Sequence, residues 1–151
     1  MGATRIKSKS HGITQFINLH LTSDQTNINA DTEVAFILES SNGLSVTSNR
    51  VTLKDNITYI LITALRHAGS QASTSGRYIW RDYTNGVNLG IGLLVNSQND
   101  TTNDGVQPIA TTIIKPSTDI DVGVRCTFVN VTNQSLASDS TQASIHSIPE
   151  F

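Results

Sequence analysis

The sequence predicts an all-β domain, a two-sheet sandwich of roughly eight to ten antiparallel strands. Three observations carry this. Apolar residues recur at every second position in short runs, with Ile13, Ile17, Leu19 and Leu21 the first set. Turn-forming Asn, Gly, Ser and Pro separate the runs at regular intervals. The helix-cap residues that occur are followed by no long apolar stripe of 3.6-residue period. A chain of 151 residues is long enough to bury a sizeable core in one domain.

Taken in order, the segment 1–12 carries Arg5, Lys7 and Lys9 around Ile6 and reads as an N-terminal extended arm, with the sandwich spanning 13–151. ITQFINLHL sets Gln15, Ile17, Leu19 and Leu21 on one side and His20 on the other. After the polar stretch TSDQTNINADT, EVAFILE places Val34, Phe36 and Leu38 inward. Asn42-Gly43 marks a turn, and RVTL is a short strand. GRYIWRDY alternates Tyr78 and Trp80 against Ile79 and Arg81. Asn85-Gly86 suits the positive φ angles of a type I′ hairpin. QPIATTIIKP is a strand stopped by Pro116, and DIDVGVRCTFVNV sets Ile120, Val122, Val124, Cys126 and Phe128 inward. QASIHSIPEF supplies the last strand.

The segment Tyr59–Leu65 breaks the pattern. One side carries Tyr59, Leu61, Thr63 and Leu65, and the other Ile60, Ile62 and Ala64. A strand covering a one-sided core shows water a polar face, and this one offers almost none. Either a loop of the same chain or a second copy must cover it.

Ser, Thr, Asn and Gln make up over a third of the chain, charged residues only 15%, and the net charge is −2. That balance gives no pull toward nucleic acid or an anionic membrane. No run approaches the ~20 apolar residues of a membrane helix, and the N-terminus lacks the apolar stretch of a secretory leader. The single cysteine, Cys126, permits no disulfide within the chain and reads as a small buried hydrophobe.

Catalytic and metal-binding patterns are sparse. His11, His20, His67 and His146 are far apart, and neither HExxH nor CxxC occurs. Asp24 and Asp31 flank one polar loop and Asp100 and Asp104 lie in another. Such oxygen-rich loops can hold calcium, but the spacing is not that of an EF-hand and solvated turns are the plainer reading. GxSxG is absent, and Gly86, Gly90 and Gly92 precede no helix. The expectation is a non-enzyme without metal or cofactor. Trp80, Tyr78, Tyr83 and the arginines beside them suit packing between strands or between subunits.

The order FINLHLTS, VAFILESSNG, RVTL and TYILITALR resembles the trimeric jelly roll of tumour necrosis factor and the complement globular head, with Phe36, Asn42, Gly43, Val51, Leu53 and Tyr59 at the corresponding places. The resemblance covers roughly residues 13 to 151. The turn LKDNIT departs from the Pro- and Gly-containing turn of complement heads, and the Ser/Thr/Asn-rich loops look more like phage-borne versions of the fold. It implies a homotrimer on a virion surface, with Tyr59, Ile60, Ile62, Ala64 and Trp80 at the trimer interface. The expected role is decorating or cementing a phage capsid, with the major capsid protein or other virion proteins as partners and Arg5, Ile6, Lys7 and Lys9 as the docking arm. A knob of a tail fibre or needle, binding a host receptor, is the alternative. The short segment before the first strand favours decoration. A secreted lectin-like module is a third reading, and it would want a leader.

Overall fold

Period-two alternation gives each strand one apolar face, and two such sheets are stable only when those faces meet. The computed structural model describes residues 14–68, 74–97 and 108–149. Its strands are β1 (Phe16–His20), β2 (Gln25–Ile28), β3 (Ile37–Asn42), β4 (Val46–Thr47), β5 (Arg50–Leu53), β6 (Thr58–Ala64), β7 (Thr74–Asp82), β8 (Val87–Ser97), β9 (Ile109–Ile114), β10 (Ile120–Val129), β11 (Gln134–Leu136) and β12 (Gln142–Ile148). The first sheet runs β3-β1-β12-β6-β9 and the second β4-β5-β10-β7-β8, with β11-β2 as a small third sheet. The described residues contain no helix.

Between the large sheets lie Ile17, Leu19, Tyr59, Leu61 and Ile145 from the first and Val51, Tyr78, Trp80, Val122, Val124 and Cys126 from the second. Every one of them is at most 3% exposed. Burying one such aliphatic or aromatic side chain is worth about 1.5–3 kcal/mol, so this layer fixes the register of both sheets. Cys126 is a buried core residue, as its alternation suggests.

Several expectations from alternation are corrected where the ladder slips. Phe128 is 50% exposed rather than inward. The β10–β7 register shifts between Cys126 and Phe128, and a bulge turns the following residue to the other face. Leu38 is 44% exposed on the edge strand β3, which slips against β1 between Asn18 and Leu19. The Asn85-Gly86 turn is not type I′. Gly86 has φ 70° while Asn85 is not among the positive-φ residues, and the Asn85 amide donates to Asp82 Oδ1 at 3.0 Å. An Asx-type contact therefore shapes this hairpin.

One end of the core holds a buried polar group. His67 bridges to Leu136, and its Nδ1 lies 3.2 Å from Thr74 Oγ1 and its Nε2 3.1 Å from the Tyr78 hydroxyl. Burial pulls the imidazole down to about 4 and pushes the Tyr78 phenol far above its ordinary range. The folded state thus keeps His67 neutral, whereas the unfolded chain titrates near 6.5.

Two outcomes are expected. At Gly90, φ is 70°, and an added Cβ would sit 2.2 Å from Oγ1 of buried Thr112. Gly90→Ala should cost about 2 kcal/mol or more in denaturant unfolding. For His67, stability should be full above pH 6.5 and fall as pH drops toward about 4, because the unfolded chain takes up a proton that the folded one refuses. The slope is at most about 1.4 kcal/mol per pH unit. His67→Gln should flatten that dependence in unfolding curves recorded between pH 7.5 and 4.5.

Candidate assembly surface

The strands β1, β12, β6 and β9 contain no Asp, Glu, Lys or Arg. Their inward residues build the core. Their outward residues form a second, uncharged face on the outside of the sandwich.

Strand pairing sets the layout of that face. Phe16 pairs with His146, His146 with Ile60, and Ile60 with Ile113, giving one cross-strand row. The next row runs Asn18, Ser144, Ile62 and Thr111, and the third His20, Gln142, Ala64 and Ile109. The Phe16 and His146 rings stack at 6.2 Å with 18° between planes. Ile109 and Ile113, on the edge strand β9, are 69% and 63% exposed. Asn18, Glu39, Ile62, Ala64, Ile109 and Ser144 help line a groove of about 350 Å³ across the face. Glu39, on the far edge strand β3, is its one charged residue.

The rim beside this face is also apolar. Ile91 on β8 is 88% exposed. β8 approaches β9 where Gly90 meets Thr112, so Ile91 shares the sandwich edge with Ile109 and Ile113. Ile109 and Ile113 close the outward rows of the face at its β9 edge, and Ile91 continues the apolar surface past that edge onto the rim.

The interface set expected from sequence divides accordingly. Ile60 and Ile62 are on the outward face and half-buried, and Ala64, 6% exposed, lies at the floor of the groove. Tyr59 and Trp80 do not belong to it. Tyr59 is fully buried between the sheets, donating its hydroxyl to Gln15 Oε1 at 2.9 Å and accepting the Lys54 amide at 3.2 Å. Trp80 alternates with Arg81 so that its ring points into the core, where it is 3% exposed. Both are core residues of the single chain. Phe16, His146, Ile91, Ile109 and Ile113 escaped sequence reading, although pairing the β6 alternation with its neighbours would have found His146 and Ile113. Arg5, Ile6, Lys7 and Lys9 lie outside the described residues.

The opposite face, on the second sheet, differs in chemistry. Arg50, Arg77, Arg81 and Arg125 point outward there. Arg50 pairs with Glu33, and Arg125 with Asp31 at 3.0 Å. The Arg50 guanidinium stacks 3.7 Å from the Tyr83 ring centre. Burial, with the Glu33 carboxylate beside it, pushes the Tyr83 phenol up to about 12. The aspartates weighed as calcium ligands are otherwise engaged: Asp24 accepts from the Ser138 amide and hydroxyl at 2.8 and 2.9 Å, and Asp31 holds Arg125. Asp100 and Asp104 lie outside the described residues. Among the described residues no His, Cys, Asp and Glu cluster is placed to hold a metal.

No family model and no curated protein matches the sequence. Solved structures do match the fold. The crystal structure of murine APRIL at pH 8.0 superposes with a TM-score of 0.62 at 12% identity, over 90% of this chain and 100% of that one. The PRD1 vertex protein P5 gives 0.55 at 9% identity, over 92% and 99% of the two chains. Eiger TNF from S. frugiperda gives 0.51 at 10% identity, over 92% and 94%. The architecture is thus the all-β jelly-roll sandwich of tumour necrosis factor type, the fold that its strand order resembles.

Proposed function

We propose that the chain is a homotrimeric structural protein of a virion surface, decorating or cementing a phage capsid. The observation that carries the assembly is the uncharged outward face of β1, β12, β6 and β9 next to the apolar rim Ile91, Ile109 and Ile113. Contiguous exposed apolar surface of this kind marks an association site. In this reading the rim at Ile91 of one copy meets the outward face around Ile60 and Ile62 of the next, a heterologous contact repeated around a threefold axis. The virion setting is supported by the fold likeness to a phage vertex protein and by the neutral, hydroxyl- and amide-rich composition. In this reading, residues 1–12 dock the ring on its platform through Arg5, Lys7 and Lys9, with Ile6 as anchor. Each exposed ion pair is worth only about 0–1 kcal/mol, but three arms act together through effective concentration.

Sedimentation tests the ring. Wild type should run as a trimer, and Ile62→Asp on the face or Ile91→Asp on the rim should each run as a folded monomer. Mixing the two variants should yield dimers and stop there, because only one sound face meets one sound rim. A wild type that stays monomeric at tens of micromolar, or an Ile91→Asp variant that still trimerises, overturns the edge-to-face arrangement.

Deleting residues 2–11 should leave the trimer and its melting temperature unchanged. It should abolish binding to phage heads assembled without this chain, and raised salt should weaken full-length attachment. Unchanged head occupancy after the deletion would sink the docking arm. Failure of the full-length trimer to bind such heads would sink the capsid role.

A further inference from the structure

We propose that the outward face of the second sheet is a docking site for an extended acidic segment of another protein, read by Arg77 and Arg81 on β7. The site rests on the proposed assembly in one respect: sister copies take the first sheet and leave this face free.

Its layout follows from the strand register. Arg77 pairs with Phe128 on one side and with Leu94 on the other. The three side chains stand side by side at strand spacings of about 4.8 Å. Phe128 and Leu94 are 50% and 47% exposed, and Arg77 is exposed between them. The bulge that turned Phe128 out of the core created this row. The Arg77 stem crosses β8 at Gly92, where an added Cβ would meet its Cγ and Cδ at 3.0 and 3.1 Å. A side chain at that position would displace the arginine.

Charge selects the occupant. Arg50 and Arg125 on the same face are neutralised by Glu33 and Asp31. Arg77 and Arg81 have no carboxylate partner among the described residues; Arg81 donates only to Asn88 Oδ1, at 3.2 Å. The chain's own N-terminal segment, with Arg5, Lys7 and Lys9, has the same sign and is repelled. The first-sheet strands β1, β12, β6 and β9 of a second copy carry no acid. A polyphosphate or nucleic acid gains affinity with the number of cationic contacts, and two guanidiniums flanked by Phe128, Leu94 and Ile79 suit it poorly. An acidic peptide fits. Arg77, Ile79 and Arg81 alternate along β7 at about 6.7 Å, the repeat of i and i+2 side chains in an extended strand. Carboxylates at i and i+4 with an apolar residue at i+2 match that series, and each carboxylate can form a bidentate pair.

The probe is a fluorescein-labelled dodecapeptide centred on Glu-Ser-Val-Ser-Glu, titrated by fluorescence anisotropy with the full-length protein at low salt. Saturable binding is expected, at least tenfold weaker for the double variant Arg77→Glu/Arg81→Glu and several-fold weaker for Phe128→Ser. The peptide with Gln in place of both Glu should bind at least tenfold more weakly. The inference is overturned by no binding of the acidic peptide, by equal binding of the glutamine peptide or by the arginine variants, or by displacement with tripolyphosphate at equal charge. Arg77→Ala/Arg81→Ala provides the same reading if the charge reversals fail to fold. Sedimentation of each sample separates the two readings. A monomer that binds the peptide upholds the docking face and sinks the ring, and a trimer that ignores it does the reverse.

Discussion

The strand β6 carries apolar residues on both faces, and among the described residues only one of those faces is fully buried. Tyr59, Leu61 and Leu65 are covered completely by the second sheet. Ile60 and Ile62, on the other face, are half-buried beside their cross-strand partners in the first sheet, Ser144, His146, Thr111 and Ile113. The rest of the molecule is arranged around this asymmetry. Charge is kept off β1, β12, β6 and β9, and Glu39 on the edge strand β3 is the one charged residue that lines the groove there. The polar residues of that face's rows are Asn18, Ser144 and Thr111, which are short, and His20, Gln142 and His146, and none of them is Asp, Glu, Lys or Arg.

The two sheets therefore divide the work. The first supplies an uncharged outward surface, half apolar and half neutral polar, whereas β5, β7 and β10 of the second carry Arg50, Arg77, Arg81, Asp82, Asp121 and Arg125. Within that charged sheet, Asp82 is the exception that points inward. Its carboxylate is held by the Asn85 amide and side chain at 3.0 and 2.7 Å, which ties the β7–β8 hairpin together. A buried carboxylate that caps a turn in this way stays compatible with an apolar interior because its oxygens are satisfied.

Sequence reading reached the fold through the alternation of Ile17 and Leu19, of Val122 and Val124, and of Tyr59 and Leu61. Those residues obey a strict period of two along ladders that do not slip between them, β1 against β12, β10 against β7 and β6 against β12 and β9. It failed where the ladder slips. Phe128 continues the alternation of Cys126 on paper, yet one bulged residue reverses its face, and no local signal in the sequence marks the bulge. The family resemblance sets Trp80 at the trimer interface, while its alternation with Arg81 points it inward, where it is 3% exposed. The small β11–β2 sheet was invisible for another reason: Gln25–Ile28 and Gln134–Leu136 are short, mostly polar strands that pair across a long stretch of sequence. Long-range partners of that kind leave no periodic trace. The rim residue Ile91 was legible as apolar, but its exposure depends on the irregularity in the β7–β8 register between Tyr78 and Trp80.

The same irregularities place the exposed apolar residues. The β7–β8 shift brings Ile91 to the edge, and the β10–β7 shift brings Phe128 to the outer face. A perfectly regular ladder would have sent Phe128 into the core and left Arg77 with only Leu94 for company. Bulges are common at sheet edges, where they re-aim side chains, and here two of them turn hydrophobic groups out of the core, Ile91 to 88% exposure and Phe128 to 50%. Ile91 lies beside the uncharged first sheet and Phe128 beside Arg77, so the two exposed apolar groups sit in surroundings of different chemistry. The apolar rim suits a second copy of the chain, and the arginine row suits a partner that brings carboxylates.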